Sequence, residues 1–174
     1  MYSKVRIADH PLHPMLVAFP VAFYTGALVG FAVYAANGTQ FWLNLAIALS
    51  IAGAGGALLA ALPGLVDLLF GIPRSSQAKI VGLTHGALNV TALGLFIASA
   101  LSYVGNWNGP PTSATLGLAL SAAGVAVTVV AGALGWMLVQ TYHVGIRLTP
   151  RQADDEPVVQ QAPALTLVRH RQAS

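Results

Sequence analysis

Histidine and carboxylate must carry any side-chain chemistry in this 174-residue chain, because it contains no cysteine. That rules out disulfides, thiolate metal sites, thiol nucleophiles and covalent haem attachment through CxxCH. The candidates are few. His10 and His13 stand in the run His10-Pro11-Leu12-His13-Pro14, Asp67 follows a long apolar stretch, His85 and Asn89 lie four residues apart, and His143 comes just after the last apolar stretch. Two or three imidazoles and a carboxylate, drawn from His10, His13, Asp67 and His85, suit Zn, Fe or Cu. Two neutral imidazoles alone, His13 and His85 with His143 as a substitute, suit the axial positions of a b-type haem. In that case Asn89 would lie beside the ligands, and Arg74, Lys79 or Arg147 would meet the propionates. Each residue also has a plainer use. His10 and His13 can punctuate a helix start with their prolines, Asp67 can pair with Arg74 or Lys79, and His143 can sit among lipid headgroups.

The elements that position these residues are membrane helices. The chain is 56% apolar and 7% charged, against about 25% charged in an ordinary soluble domain. Four apolar stretches reach or exceed the roughly 20 residues that cross a hydrocarbon core. Helices are expected at about 14–36, 42–70, 79–103 and 114–143, making an all-α, integral membrane four-helix bundle over residues 1–146. The first stretch starts too late and runs too long for a cleavable signal and is expected to be retained.

All basic residues fall before the first span, between the second and third, or after the fourth. Because Lys and Arg of short loops stay on the cytoplasmic side, both termini are expected there. The net charge of +3 thereby has a topological explanation, and nucleic-acid binding is not expected. The opposite loops are neutral, and Trp42, Tyr103 and Trp107 beside them read as an interfacial aromatic belt.

This topology aligns the candidates in depth. His13 is seven residues from Arg6, Asp67 seven from Arg74 and His85 six from Lys79, so each lies about 9 to 10 Å further along a helix. Asn89 is one turn deeper than His85 on the same face. His143 is four residues from Arg147, about 6 Å, and so nearer the interface. Ionisable residues at matched depth inside a bundle mark a functional site by default. Small residues crowd the second and fourth spans, suiting close helix approach, and Pro20 and Pro63 are expected to kink their helices. The hairpins show only a loose similarity, with no further internal repeat. The tail, 147–174, has three prolines, an acidic triplet at Asp154 to Glu156 and a basic end, and reads as disordered or partner-docking.

Four segments together resemble a known family: His10 to Pro20, Gly64-Leu-Val-Asp67 with Ile72-Pro73, Thr84-His85-Gly-Ala-Leu-Asn89, and Gly135-Trp-Met-Leu-Val139 before His143-Val-Gly145. The family is the bacterial predicted four-helix membrane proteins called domain of unknown function 2231, and the likeness spans about residues 10–146. It implies the same topology and singles out His13, Asp67, His85 and Asn89 as the family's polar positions, with no established activity. It also implies an architecture similar to small membrane cytochromes, and some members of the family carry or neighbour Rieske-type domains. No Rieske centre is possible here without cysteine.

The leading expectation is a b-type haem protein of the bacterial inner membrane that passes electrons to or from quinone or a partner subunit, as a subunit more than as an enzyme by itself. A non-haem metal protein is one alternative. Another is an accessory subunit of a larger complex, with a partner subunit or a second copy as its neighbour. A proton-coupled transporter is least expected, because few polar residues besides Asn44, Ser50 and Asn89 continue toward the opposite face.

Overall fold

The computed structural model describes residues 3–146, 148, 149 and 152. A short antiparallel hairpin, β1 (Arg6–Ile7) and β2 (His10–Pro11), leads into helices α1 (Leu12–Asn37), α2 (Gln40–Val66), α3 (Gln77–Tyr103) and α4 (Thr115–Gln140). A π-helical turn, Asp67–Gly71, continues α2. With these extensions the four spans are 26, 32, 30 and 26 residues long, with mean hydropathies of 2.0, 2.1, 1.7 and 2.0. All four are long and apolar enough to cross a bilayer. The chain is a multi-pass membrane protein of all-α fold. Large apolar side chains such as Leu62, Phe70, Leu101 and Trp136 point outward from the bundle, where acyl chains are their natural solvent.

Local signals explain the helix ends. Pro14 falls in the first turn of α1, where its missing N–H removes no helical bond. Gly38 closes α1 in the left-handed conformation, φ 67°, donating its N–H to Tyr34 O, as glycine does at helix ends. Only Gly38 and Thr39 separate α1 from α2, so the two must run antiparallel. α4 stops at Gln140, earlier than expected, and His143 lies in the following turn with φ 51°. The amides of Tyr142 and Val144 fold back onto Met137 O and Leu138 O and end the helix.

Tyr103 departs from its expected interfacial role. It is buried, its phenol donating to Ser113 O at 2.7 Å and accepting from Gly117 N–H at 3.0 Å. Asn44 serves the same end of the bundle, joined to Asn108 Oδ1 at 2.6 Å and to Gln40. The expected tail, Arg147 included, lies almost wholly outside the described residues.

α1 packs most closely on α2, and α3 on α4. These two hairpins are copies of one another, more closely than the loose similarity expected. Ile47-Ala-Leu-Ser50-Ile-Ala-Gly53 of α2 corresponds to Leu118-Ala-Leu-Ser121-Ala-Ala-Gly124 of α4. Tyr24 of α1 seats on Gly53, where an added Cβ would lie 2.6 Å from its ring, and Phe96 of α3 seats likewise on Gly124, at 2.5 Å. Equivalent residues of α1 and α3 then meet each other. Tyr24 stacks on Phe96 with centroids 3.7 Å apart and planes within 1°, Phe31 meets Tyr103 at 5.0 Å, and His13 meets His85 at 6.2 Å. A constant offset of 72 residues separates the members of each pair. When equivalent residues touch one another, they lie on a two-fold axis, here a quasi-two-fold running along the bundle between α1 and α3. Hairpins repeated in parallel about such an axis are a known membrane architecture.

Candidate functional site

The histidine pair lies where this axis approaches the end of the bundle that carries the β-hairpin. His13 sits in the first turn of α1 and its Nδ1 is 2.8 Å from Ala60 O of α2. His85 sits in the third turn of α3 and its Nδ1 is 2.8 Å from Ala131 O of α4. A carbonyl oxygen only accepts, so each ring carries a proton on Nδ1, and Nε2 is the nitrogen left to meet a ligand.

The seats match as well. Gly64 follows Ala60 by one helical turn, and Gly135 follows Ala131 by one turn. An added Cβ on Gly64 would lie 2.7 Å from His13 Nδ1, and one on Gly135 would lie 3.1 Å from His85 Cε1. Each imidazole is therefore backed by the second helix of its own hairpin, and the planes of the two rings are 89° apart. Asn89 breaks the symmetry. Its side-chain amide donates 3.1 Å to His85 Nε2 and 2.8 Å to His85 O, as the one-turn spacing predicts.

Both histidines and Asn89 line a cavity of about 490 Å³ between the hairpins. This is within the usual size range of small-molecule sites. Its remaining wall is almost wholly aliphatic or glycine, with Pro20, Ala57 and Gly86 among the lining residues. Both histidines belong to helices long and apolar enough to span a membrane, His13 in the first turn of its helix.

Asp67 also borders the cavity, but its carboxylate serves the amino-terminal strap. Oδ2 accepts from Ser3 Oγ at 2.7 Å and Oδ1 from the Lys4 amide at 2.6 Å. The sequence offered Arg74 or Lys79 as partners. Instead Lys79 Nζ donates to Leu68 O, and Arg74 is exposed in the loop before α3. The reason is geometric, since the strap folds back from the start of α1 across the end of α2 and presents a backbone N–H and a hydroxyl together.

His10 stays outside the cavity. It is exposed on β2 with Nδ1 2.7 Å from Ala8 O, held there by a tight turn in which Ala8 and Asp9 both have positive φ. His143 is half-buried beyond α4 and does not line the cavity. Among the described residues no three of His, Cys, Asp and Glu gather to hold a metal. Of the expected site residues, the fold unites His13, His85 and Asn89, places Asp67 beside them in another role, and separates His10, Arg74 and His143. It adds Gly64, Gly135 and Tyr24, which sequence reading missed. The signal for the first two was available, because Ala60 and Gly64 in α2 correspond in the repeat to Ala131 and Gly135 in α4.

The Asp67 contacts make a testable strap. Asp67→Ala is expected to cost about 1–3 kcal/mol through two lost hydrogen bonds to a charged acceptor, and to speed hydrogen exchange at the Lys4 amide. Unchanged exchange there would show that the strap is held by other means.

Fold and cleft together define a four-helix membrane protein with a histidine-lined apolar site near one end. The chain belongs to the predicted membrane protein family DUF2231, whose family model matches residues 9–148. No curated protein and no solved structure matches it.

Proposed function

We propose that this protein is a b-type cytochrome subunit of the bacterial inner membrane, in which His13 and His85 would hold a single haem. The observation that carries the reading is the convergence of these two equivalent imidazoles on the quasi-two-fold axis, each with Nδ1–H tied to a backbone carbonyl. Such a tie fixes the tautomer and raises the basicity of Nε2. The two rings approach to 6.2 Å between centroids with their planes 89° apart, so that one group held between the hairpins would be within reach of both.

Ligand number favours haem over the other metals. Structural zinc takes four protein ligands and a non-haem ferrous site three, whereas a porphyrin supplies four nitrogens and needs only two more from the protein. Haem would supply reversible one-electron chemistry in an apolar wall that excludes water. This chain's own residues do the rest. Asn89 would have to release His85 Nε2 for it to hold the group, and Lys79, which now donates to Leu68 O, would be a cation near that end for the propionates. The basic residues that flank that end support a cytoplasmic position for it. One haem near one face cannot carry an electron across the membrane alone, which is why the reading is a subunit working with a partner or a second copy.

Absorption spectra of the purified protein, oxidised and then reduced with dithionite, test this. A Soret band and a sharp α band are expected. They should be lost in His13→Ala and in His85→Ala and kept in His10→Ala and His143→Ala. Protein that stays colourless after haem reconstitution, or His85→Ala that keeps full absorption, refutes the assignment. Stoichiometric copper or zinc in a colourless protein would move the pair to the non-haem alternative.

A further inference from the structure

We infer that the histidine-lined cavity exchanges its occupant with the bilayer, through the seam between α2 and α3, and is closed to water at its histidine end. For the identity of that occupant this rests on the haem reading. What it adds is the class of molecule the cavity admits, one already dissolved among acyl chains.

The open side is marked by side chains that face two ways. Leu58, Leu62 and Leu65 of α2, and Leu83 and Val90 of α3 across the seam, line the cavity and are also between 53% and 69% exposed. A residue that borders the cavity and faces the surroundings as well lies on the rim of an opening. All five are aliphatic, so the rim suits lipid and not water. α2 and α3 also pack less closely on each other than either does within its hairpin, so little has to be parted for the seam to widen.

The seam between α4 and α1 is quasi-equivalent to this one and differs from it. In the register that matches Ile47 to Leu118, the counterparts of Leu58, Leu62 and Leu65 are Val129, Ala133 and Trp136, which are exposed but do not line the cavity. Pro14 and Val21 of α1 are exposed lining residues on that side, whereas every lining residue of α4 is half-buried or buried. Only the α2–α3 seam is open from both of its helices.

The histidine end is covered. Asp67 borders the cavity there and holds the strap through both oxygens, to Ser3 Oγ and to the Lys4 amide. Ser3 and Ile72 are each only 5% exposed. Pro11 lies against Gly145, where an added Cβ would be 3.5 Å from the Pro11 ring. Entry from water would have to part hydrogen bonds to a carboxylate, whereas entry from lipid displaces only aliphatic contacts. A hydrated metal ion would have to shed its water in hydrocarbon to use the seam, which is strongly unfavourable. A flat, largely apolar macrocycle would not.

The chain has no cysteine, so one placed in the cavity reports on access. Val17→Cys, at a half-buried lining position of α1, is labelled in lipid nanodiscs with N-phenylmaleimide, which dissolves in the bilayer, and with a maleimide carrying a sulfonate, which does not. Each rate is divided by that of the same chain in SDS. The sulfonated reagent should then react about tenfold more slowly or worse, because an unpaired charge is expelled from an apolar passage. Leu62→Trp, which fills the rim, should slow N-phenylmaleimide by about tenfold in so closely packed a setting. Val129→Trp, at the equivalent point of the other seam, should not, and both positions are exposed, so neither variant disturbs the core. Asp67→Asn, which weakens the strap, should leave the N-phenylmaleimide rate unchanged. The proposal is overturned if the sulfonated reagent keeps pace, if neither reagent reaches the thiol, if Leu62→Trp slows nothing, if Val129→Trp slows labelling as much, or if Asp67→Asn accelerates it. Labelling uses haem-free protein, so a chain that never takes up haem refutes the haem reading and leaves these rates to decide the route.

Discussion

Replacing Gly117 with alanine is expected to destabilise the protein by about 1–3 kcal/mol, the usual cost of overpacking a well-filled core. The new methyl would run into the ring of Phe31, which is completely buried and rests on Tyr103 at 5.0 Å. Neither ring can yield. The Tyr103 phenol is fixed between Ser113 O and the Gly117 amide itself, so moving Phe31 would disturb the cap that starts α4. Gly132 is the control. It lies on the same helix with open space where its Cβ would be, and Gly132→Ala should stabilise by up to about 1 kcal/mol through helix propensity alone. Thermal unfolding in one detergent measures both, and a Gly117→Ala protein as stable as wild type would mean that the core is looser than its contacts imply.

Gly64→Ala should have the other large effect, and it should act through a single side chain. The added methyl would displace the His13 imidazole from Ala60 O, with a cost of about 1–3 kcal/mol for the lost bond and the crowding. In a His13→Ala background the same substitution has nothing to strike and should be nearly neutral, so a double-mutant cycle should return a coupling of that size. Gly135→Ala is the milder counterpart, because its Cβ would meet His85 at 3.1 Å and a few tenths of an ångström of adjustment suffice. Equal costs for Gly64→Ala with and without His13 would remove the proposed seat. On the haem reading, Gly64→Ala should also reduce haem retention well before Gly135→Ala does.

These two glycines mark the limit of what could be read from sequence. The four spans, the depth shared by His13, Asp67 and His85, and the Asn89 to His85 contact all follow from hydropathy and from helical rise. Both are local properties. The partner of Asp67 does not follow from them, because charge pairing pointed to Arg74 or Lys79 while the acceptors went to the backbone of a strap more than sixty residues away. Tyr103 was misread as interfacial for a related reason. An aromatic residue at the end of a span looks the same in sequence whether it faces headgroups or turns inward to hold the next helix. The repeat was legible in Ile47 to Gly53 and Leu118 to Gly124, but its consequence, that equivalent rings meet on an axis, needs the packing.

The sequence by itself determined that the chain crosses a membrane four times and that its ionisable groups gather at one end, because those facts depend on transfer from water to hydrocarbon and on 1.5 Å of rise per residue. The tertiary structure alone decided which of those groups meet. A soluble helix announces its buried side by an apolar stripe, whereas these helices are apolar on every side, and in lipid their rotation is set by close packing. Glycines under Tyr24, Phe96, His13 and His85 fix that rotation and turn His13 toward His85.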